Sequence, residues 1–403
     1  MEMADRKPKT AALNRNHVLI AMAAVALCLG SSYSFGVFVK PLADCYGWSI
    51  SQTTLAFTLN GLLSPLPMII GGRVVDQGHS RRVVICGGLL FALCFMFSGS
   101  VSKPWMLYVL YSGLGCFGLR AAYSGLIGNG LKLFYDRKGF ASGIIAASYA
   151  SAAVFIAPAA NYLIERYGVA AAFRVLGLIY LAVVLAAALF IKEAPQPGPP
   201  RRLDALPGGK GVNLNWRQMI KTRRFYWLVA VFVCGSMAGL MLIAEASVLG
   251  QGFFGLTAAA AAVFVSAYSL ANCCGRFVFG PLSDRLGRYP TMIVIGAVVS
   301  AVLLLAALFP TRLTFFLSLI GVGLGFGGVM SIMPALVAED FGQLHYGINY
   351  GICYIGYSLG SLLGPQIAAY FGEGRGSVSV LYGIALAFSL CGLLLTWRRW
   401  RKS

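Results

Sequence analysis

The chain has 403 residues and a mean hydropathy of +0.77, with 58% apolar and only 11% charged residues. Soluble globular domains carry charge at about a quarter of their positions, so this composition excludes a protein surrounded by water on all sides. The formal charge of +19 would point to nucleic acid in a soluble protein, but its distribution along the chain excludes that partner.

The apolar residues form twelve runs, near 17–39, 54–72, 83–102, 105–131, 139–163, 170–191, 225–250, 256–281, 290–309, 313–338, 347–371 and 378–397. Each approaches the roughly 20 residues that a helix needs to cross about 30 Å of hydrocarbon. The basic residues lie between them. Six of the 32 (Lys40, Lys103, Arg166, Arg174, Arg312, Arg375) fall on one side, Arg120 and Arg276 lie within runs, and the rest fall on the other side. The positive-inside rule then predicts cytoplasmic termini and an integral protein of the plasma membrane, the inner membrane in a bacterium. The polar segment up to Arg15 leads into a full-length span without a small-residue cleavage site, which does not read as a signal peptide.

In chain order, the first span contains Ser32-Tyr33-Ser34-Phe35-Gly36-Val37-Phe38, then Pro41-Leu42 and Gly47-Trp48-Ser49. The second ends in Gly72-Arg73-Val74-Val75-Asp76-Gln77, followed by Arg81-Arg82. The fourth holds Arg120 near its middle with no acidic neighbour, and the fifth opens on Phe134-Tyr135-Asp136-Arg137-Lys138-Gly139-Phe140-Ala141-Ser142-Gly143. Residues 192–224, with Pro195, Pro197, Pro199, Pro200 and Gly208-Gly209, read as an irregular linker dividing the spans six and six. Its end, from Trp216 to Phe225, is basic and aromatic, the pattern of a short interfacial helix.

The seventh span carries Glu245, the one carboxylate predicted inside any span. The eighth carries Asn272, Gly275 and Arg276, and runs into Gly280-Pro281-Leu282-Ser283-Asp284-Arg285-Leu286-Gly287-Arg288. The tenth contains Gly321-Val322-Gly323-Leu324-Gly325-Phe326-Gly327-Gly328, which lacks the preceding strand of a dinucleotide loop and predicts close helix packing. The ten cysteines lie almost entirely in apolar runs and read as small buried apolar residues, with Cys45 alone in an outer loop.

The segment after the second span is repeated after the eighth: Gly72, Asp76 and Arg82 in one copy, Gly280, Asp284, Arg285 and Arg288 in the other. Each reads as a tight turn in which glycine allows close approach and the carboxylate pairs with arginine or caps a helix N-terminus. The repeated loops, twelve spans and central linker resemble the major facilitator superfamily of secondary transporters along essentially the whole chain. That resemblance implies an all-α fold of two six-helix bundles, expected over 1–191 and 225–403, rocking about a central site. The first-span, fifth-span and eighth-span stretches further resemble monocarboxylate porters and the oxalate:formate antiporter group.

A guanidinium cannot discard its proton, so Arg276 must face protein, water or an anion. It either pairs with a loop aspartate such as Asp284 or offers a planar fork to a substrate carboxylate, the role the resemblance implies. Asn272, one turn away on the same face, offers a neutral hydrogen bond, and stands where the resemblance to animal monocarboxylate porters would place aspartate. Arg120 either faces the same cavity or pairs with Glu245. Glu245 is the candidate proton-coupling group. Tyr33 is the favoured hydroxyl donor among Tyr33, Tyr123, Tyr149, Tyr268, Tyr354 and Tyr357. Tyr357 occupies the place where the resemblance to the antiporters would put lysine.

The expected function is therefore proton-coupled symport of small monocarboxylates of lactate or pyruvate scale, with an organic anion exchanger or dicarboxylate carrier using both arginines as the alternative. No P-loop, metal-ligand spacing or catalytic constellation stands out, so neither enzymatic activity nor a cofactor is expected. The expected partners are an organic anion, protons and the lipid bilayer.

Overall fold

A computed structural model describes residues 15–194, 213–372 and 377–401, nearly all of them helical. The chain opens with α1 (Arg15–Leu29), a tighter turn at Gly30–Ser34 and α2 (Gly36–Tyr46), which Gly47 ends in the left-handed conformation. Next come α3 (Ile50–Leu63) and α4 (Pro65–Asp76), bent by 41° at Ser64-Pro65, where proline withholds an N–H from the ladder. Ser49 and Gln52 close the start of α3 by bonding each other's backbone N–H.

Then follow α5 (Ser80–Phe97), α6 (Pro104–Leu107), a wide-turn segment over Tyr108–Gly115, α7 (Cys116–Leu133) and α8 (Lys138–Phe190). The 53 residues of α8 are well over twice the length of roughly 20 that one crossing requires. Gly168, at φ 82°, divides it into two passes. The second half comprises α9 (Trp216–Met219), α10 (Arg223–Phe254), α11 (Ala258–Leu286), α12 (Arg288–Leu308), α13 (Arg312–Phe341), α14 (Tyr346–Cys353), α15 (Ile355–Gly372) and α16 (Val378–Trp400).

Among the described residues, eight helices are long and apolar enough to cross a bilayer, and α3 with α4 supplies a ninth crossing. The second pass of α8 and the broken helices α6–α7 and α14–α15 complete twelve, leaving both described ends on one face, here called the basic face. Large apolar side chains cover the outside, including Ile20 at 66%, Leu313 at 66% and Leu189 at 76% exposure. Only hydrocarbon makes such a surface favourable.

Two expectations require correction. The repeated loop motifs are not turns at their glycines: Gly72 lies inside α4 and Gly280 inside α11, and the chain reverses later, near Gly78 and Gly287. Glycine is required there because a neighbouring backbone leaves no room for a Cβ, as described below. The cysteines are not uniformly buried, since Cys86, Cys274 and Cys391 are exposed on helices, as is Cys45. Sulfur is apolar enough to face lipid. Of the stretch from Trp216 to Phe225 expected to form a short helix, Trp216–Met219 forms α9, capped reciprocally by Asn215 and Gln218, and residues 223–225 open α10, whereas linker residues 195–212 lie outside the described residues.

The glycine-rich run of α13 packs as its composition predicts. A Cβ on Gly325 or Gly328 would meet Val299 or Ile295 of α12, and one on Gly323 or Gly327 would meet the backbone of α11. This clamp fixes the height and rotation of α11, the helix that carries Asn272 and Arg276.

Candidate functional site

Arg276 is buried, with 2% of its surface exposed, and lies at the seam between the halves. Gly143 of α8 has no room for a side chain against the Arg276 backbone, so α8 and α11 approach directly. The guanidinium donates from Nε to Asn272 Oδ1 at 3.0 Å and from Nη1 to the carbonyl of Ala146, on α8, at 2.9 Å. Nη2 makes no hydrogen bond. Both acceptors are neutral, so they orient the fork while leaving its charge uncompensated.

Arg120 enters from the first half on α7, with 6% of its surface exposed. It donates from Nη1 to the Tyr354 hydroxyl at 3.4 Å, its guanidinium carbon lies 5.9 Å from that ring's centroid, and its Nε has no partner. Tyr123, Tyr149 and Tyr357 are charge neighbours of both Arg120 and Arg276. Their rings join with Tyr33: Tyr149 lies 5.1 Å from Tyr33 and 5.2 Å from Tyr123, edge to face, and Tyr354 lies 4.7 Å from Tyr357. Ser32 fixes Tyr149 through a 2.7 Å hydroxyl contact. Two arginines from opposite halves therefore share one cluster of tyrosines.

Among the described residues, the ion pairs are Arg15–Asp136, Arg288–Asp284 and Arg288–Glu339, all at helix ends. Neither Arg120 nor Arg276 is in one, and Arg276 does not reach Asp284. Glu245 lies on α10 with its side chain outside the described residues, so its pairing with Arg120 is not assigned. Of the candidate tyrosines, Tyr268 serves packing, donating to the Gly239 carbonyl at 2.9 Å. Tyr33, Tyr123, Tyr149, Tyr354 and Tyr357 form the cluster. Sequence reasoning placed Tyr354 among the candidate hydroxyls but favoured Tyr33 over it, and nothing local marked it as the partner of Arg120.

The repeated motifs meet the opposite half on the basic face. Asp284 accepts the backbone N–H of Gly139 at 2.9 Å and of Phe140 at 2.8 Å, at the start of α8. Asp76 accepts those of Gly347 at 2.6 Å and Ile348 at 3.0 Å, at the start of α14. Each carboxylate fills the orphan donors and faces the positive end of a helix. Beside each latch, backbones touch: Gly139 against Gly280, and Gly72 against Gly347.

The alternatives of capping and pairing are both realised at Asp284, which also binds Arg288 Nη1 at 2.7 Å, while Arg288 holds Glu339 at 2.8 Å. Asp76 has Lys132 nearby, whose Nζ donates to the Val75 carbonyl at 3.0 Å. Arg82 and Arg285 are exposed. In the first copy it is Arg81 that makes a fixed contact, donating to the Ala188 carbonyl at 3.0 Å. Burial pushes the Asp76 carboxyl up to about 6, opposed by the N–H groups of Ile348 and Gly347 and by the charge of Lys132. An open crevice of about 660 Å³, lined by Arg73, Asp76, Trp216, Arg217 and His345 among others, reaches this carboxylate from the basic face.

The two faces of the seam differ. The halves of the second and eleventh spans nearest the basic face, α4 and α14, pack along their length, while α3 and α15 touch at few points. The tyrosine cluster is therefore sealed toward the basic face.

The chain matches the family model of the Major Facilitator Superfamily over residues 20–276 and 251–403. It is 29% identical over 346 residues to the uncharacterized MFS-type transporter YhjX of Escherichia coli, covering 85% of each chain. It is 27% identical to the oxalate:formate antiporter of Oxalobacter formigenes, covering 96% of this chain and 93% of that one. It is 24% identical to mouse monocarboxylate transporter 11, covering 92% and 84%. Among solved structures, the transporter FucP in its outward conformation superposes with a TM-score of 0.72 at 15% identity, covering 94% of this chain and 98% of that one.

Proposed function

The chain belongs to the major facilitator superfamily, and from that premise we propose that it is a secondary transporter of small organic anions, held between Arg120 and Arg276. One observation carries this reading: two buried guanidiniums, one from each half, surround the same tyrosines, and no described carboxylate pairs with either. Removing a cation from water costs several kcal/mol even after relaxation, and an anion bound between the two offsets both. The tyrosine hydroxyls supply neutral donors for carboxylate oxygens.

This arrangement favours a dicarboxylate over the monocarboxylate expected from a single cation at the eighth span. It also favours exchange over net transport, because an empty site would have to rearrange with two uncompensated charges. The monocarboxylate reading keeps its support from Tyr357, which contributes a hydroxyl rather than a second fixed charge in the eleventh span. In that reading Glu245 carries the coupling proton. The halves divide at 192–224, the basic face is cytoplasmic, and the protein lies in the plasma or inner membrane with both termini inside. The conformation described above then faces outward.

Uptake into proteoliposomes decides between the readings. Labelled oxalate, malonate, lactate and pyruvate are offered with and without an imposed pH gradient, and with and without unlabelled anion inside. Dicarboxylate uptake that requires internal anion supports the two-arginine exchanger. Accumulation of lactate driven by the pH gradient alone supports symport, and uptake of none of the acids removes the anion reading.

A further inference from the structure

The helix α14 is only eight residues long, and the opposite half holds it at both ends. At its start, Asp76 accepts the Gly347 and Ile348 N–H groups. Along its length, Gly351 packs against the backbone of Ile69, where a Cβ would lie 2.8 Å from the Ile69 nitrogen. At its end is Tyr354, the residue at the break between α14 and α15, which accepts from Arg120 Nη1.

The two fastenings differ in strength. The carboxylate at the start makes two short, charge-assisted bonds, which are the stronger kind. The Arg120–Tyr354 bond is long, at 3.4 Å, and neutral on the tyrosine side, and Arg120 keeps an unsatisfied Nε beside it. A carboxylate arriving at Arg120 offers two acceptor oxygens in the plane of the fork and outcompetes a single hydroxyl. Tyr346, Tyr350, Tyr354 and Tyr357 adjoin in succession along this span, with adjacent centroids 5.5, 5.9 and 4.7 Å apart, the first pair stacked, the second edge to face and the third tilted. A displaced Tyr354 ring therefore presses on the rings that run back to the Asp76 end.

We propose that the Arg120–Tyr354 contact is a substrate-responsive fastening of α14: a carboxylate bound at Arg120 releases Tyr354 and so loosens the seal on the basic face. The inference rests on the anion-binding reading of Arg120 and adds to it a positioning role for Tyr354. Coupling of this kind requires an element whose two states both sites bias. Here that element is α14, biased by Asp76 at one end and by occupancy of Arg120 at the other.

The test is backbone hydrogen exchange of residues 346–353 in the full chain in lipid nanodiscs, with parental protein and Tyr354→Phe compared. Each is measured without organic anion, with oxalate, and with lactate, at matched ionic strength. Loss of one hydrogen bond predicts anion-free exchange about two- to tenfold faster in Tyr354→Phe. Oxalate or lactate is expected to raise exchange in the parental protein by a similar factor and to leave Tyr354→Phe unchanged. Arg120→Gln, which removes the same bond from the other side, is expected to match Tyr354→Phe in the absence of anion and serves if that variant does not fold.

Anion-free exchange equal to parental in the folded variants overturns the fastening. A parental protein that responds to neither acid overturns the release, even if the anion-free difference is present. The anion-free arm needs no substrate, so it is judged separately from the transport reading, which fails by its own measure when none of the acids is taken up.

Discussion

Asp76 and Asp284, one from each half of the chain, each accept two backbone N–H bonds from the first turn of a helix in the other half. The relationship is reciprocal, so the basic face is closed by two similar latches, one contributed by each half. A charge-assisted bond contributes about 1.5–3 kcal/mol, and a carboxylate at a helix N-terminus adds about 0.3–1 kcal/mol. Asp76→Ala or Asp284→Ala is therefore expected to shift the sealed population at least tenfold toward opening on the basic face. Spin labels on the two halves at that face would report a longer distance. Asp284→Ala should have the larger effect, because it also strands part of Arg288. An unchanged distance distribution in both variants would contradict the latch assignment.

The Asp76 latch carries a pH dependence whose sign follows from its environment. Its carboxyl is pushed up to about 6 in the sealed state, whereas an opened, hydrated carboxylate returns toward its ordinary value of 3.8. The sealed state thus binds the proton more tightly. Its extra stability is present in full below the lower value and lost as pH rises through about 6. Lys132 lies nearby and favours the charged form without reversing the shift. Lowering the pH on the basic face from 7 to 5 is expected to increase the sealed fraction, and Asp76→Asn should flatten that response. A sealed fraction that falls on acidification would show that another group dominates.

At the seam, the space is too small for even a methyl group. Gly347 faces the Gly72 backbone, and Gly139 faces that of Gly280. Overpacking costs roughly 1–3 kcal/mol, here concentrated on one conformation. Gly347→Ala and Gly139→Ala should leave the protein folded but disfavour the sealed state, slowing transport at least several-fold. Gly383→Ala has open space around its Cβ and serves as the neutral comparison. Equal transport rates in all three variants would remove the close-approach argument.

How much of this was legible in the sequence depended on separation along the chain. The hydrogen bond between Arg276 and Asn272 follows from a spacing of four residues on one helix, and the repeated loops announced themselves by composition. The partners of Asp76 lie 271 and 272 residues away, and Tyr354 lies 234 residues from Arg120. No local pattern encodes such contacts, which depend on how two bundles dock. The loop glycines were expected to allow close approach within a tight turn, and the approach is found, but inside α4 and α11 rather than at a turn. Only the neighbouring backbone distinguishes the two.

The two-arginine site makes the sharpest prediction, because the charge of the preferred substrate should follow the number of cations. With Arg120 and Arg276 both intact, oxalate or malonate is expected to outcompete lactate and pyruvate. Arg120→Gln keeps a neutral polar group on a shorter side chain but removes one charge and the reach to Tyr354, leaving the second carboxylate of a dianion desolvated and unpaired. Breaking such a buried pair costs about 3–5 kcal/mol, which corresponds to a loss of about 10²–10⁴ in dicarboxylate affinity. Lactate, with one carboxylate held by Arg276, should lose less than about tenfold, so the preference inverts. Arg276→Lys keeps a charge but not the planar fork, and should impair both substrates strongly. If Arg120→Gln weakens dicarboxylate and monocarboxylate equally, Arg120 serves the packing of the seam, and the single-cation monocarboxylate site regains the argument.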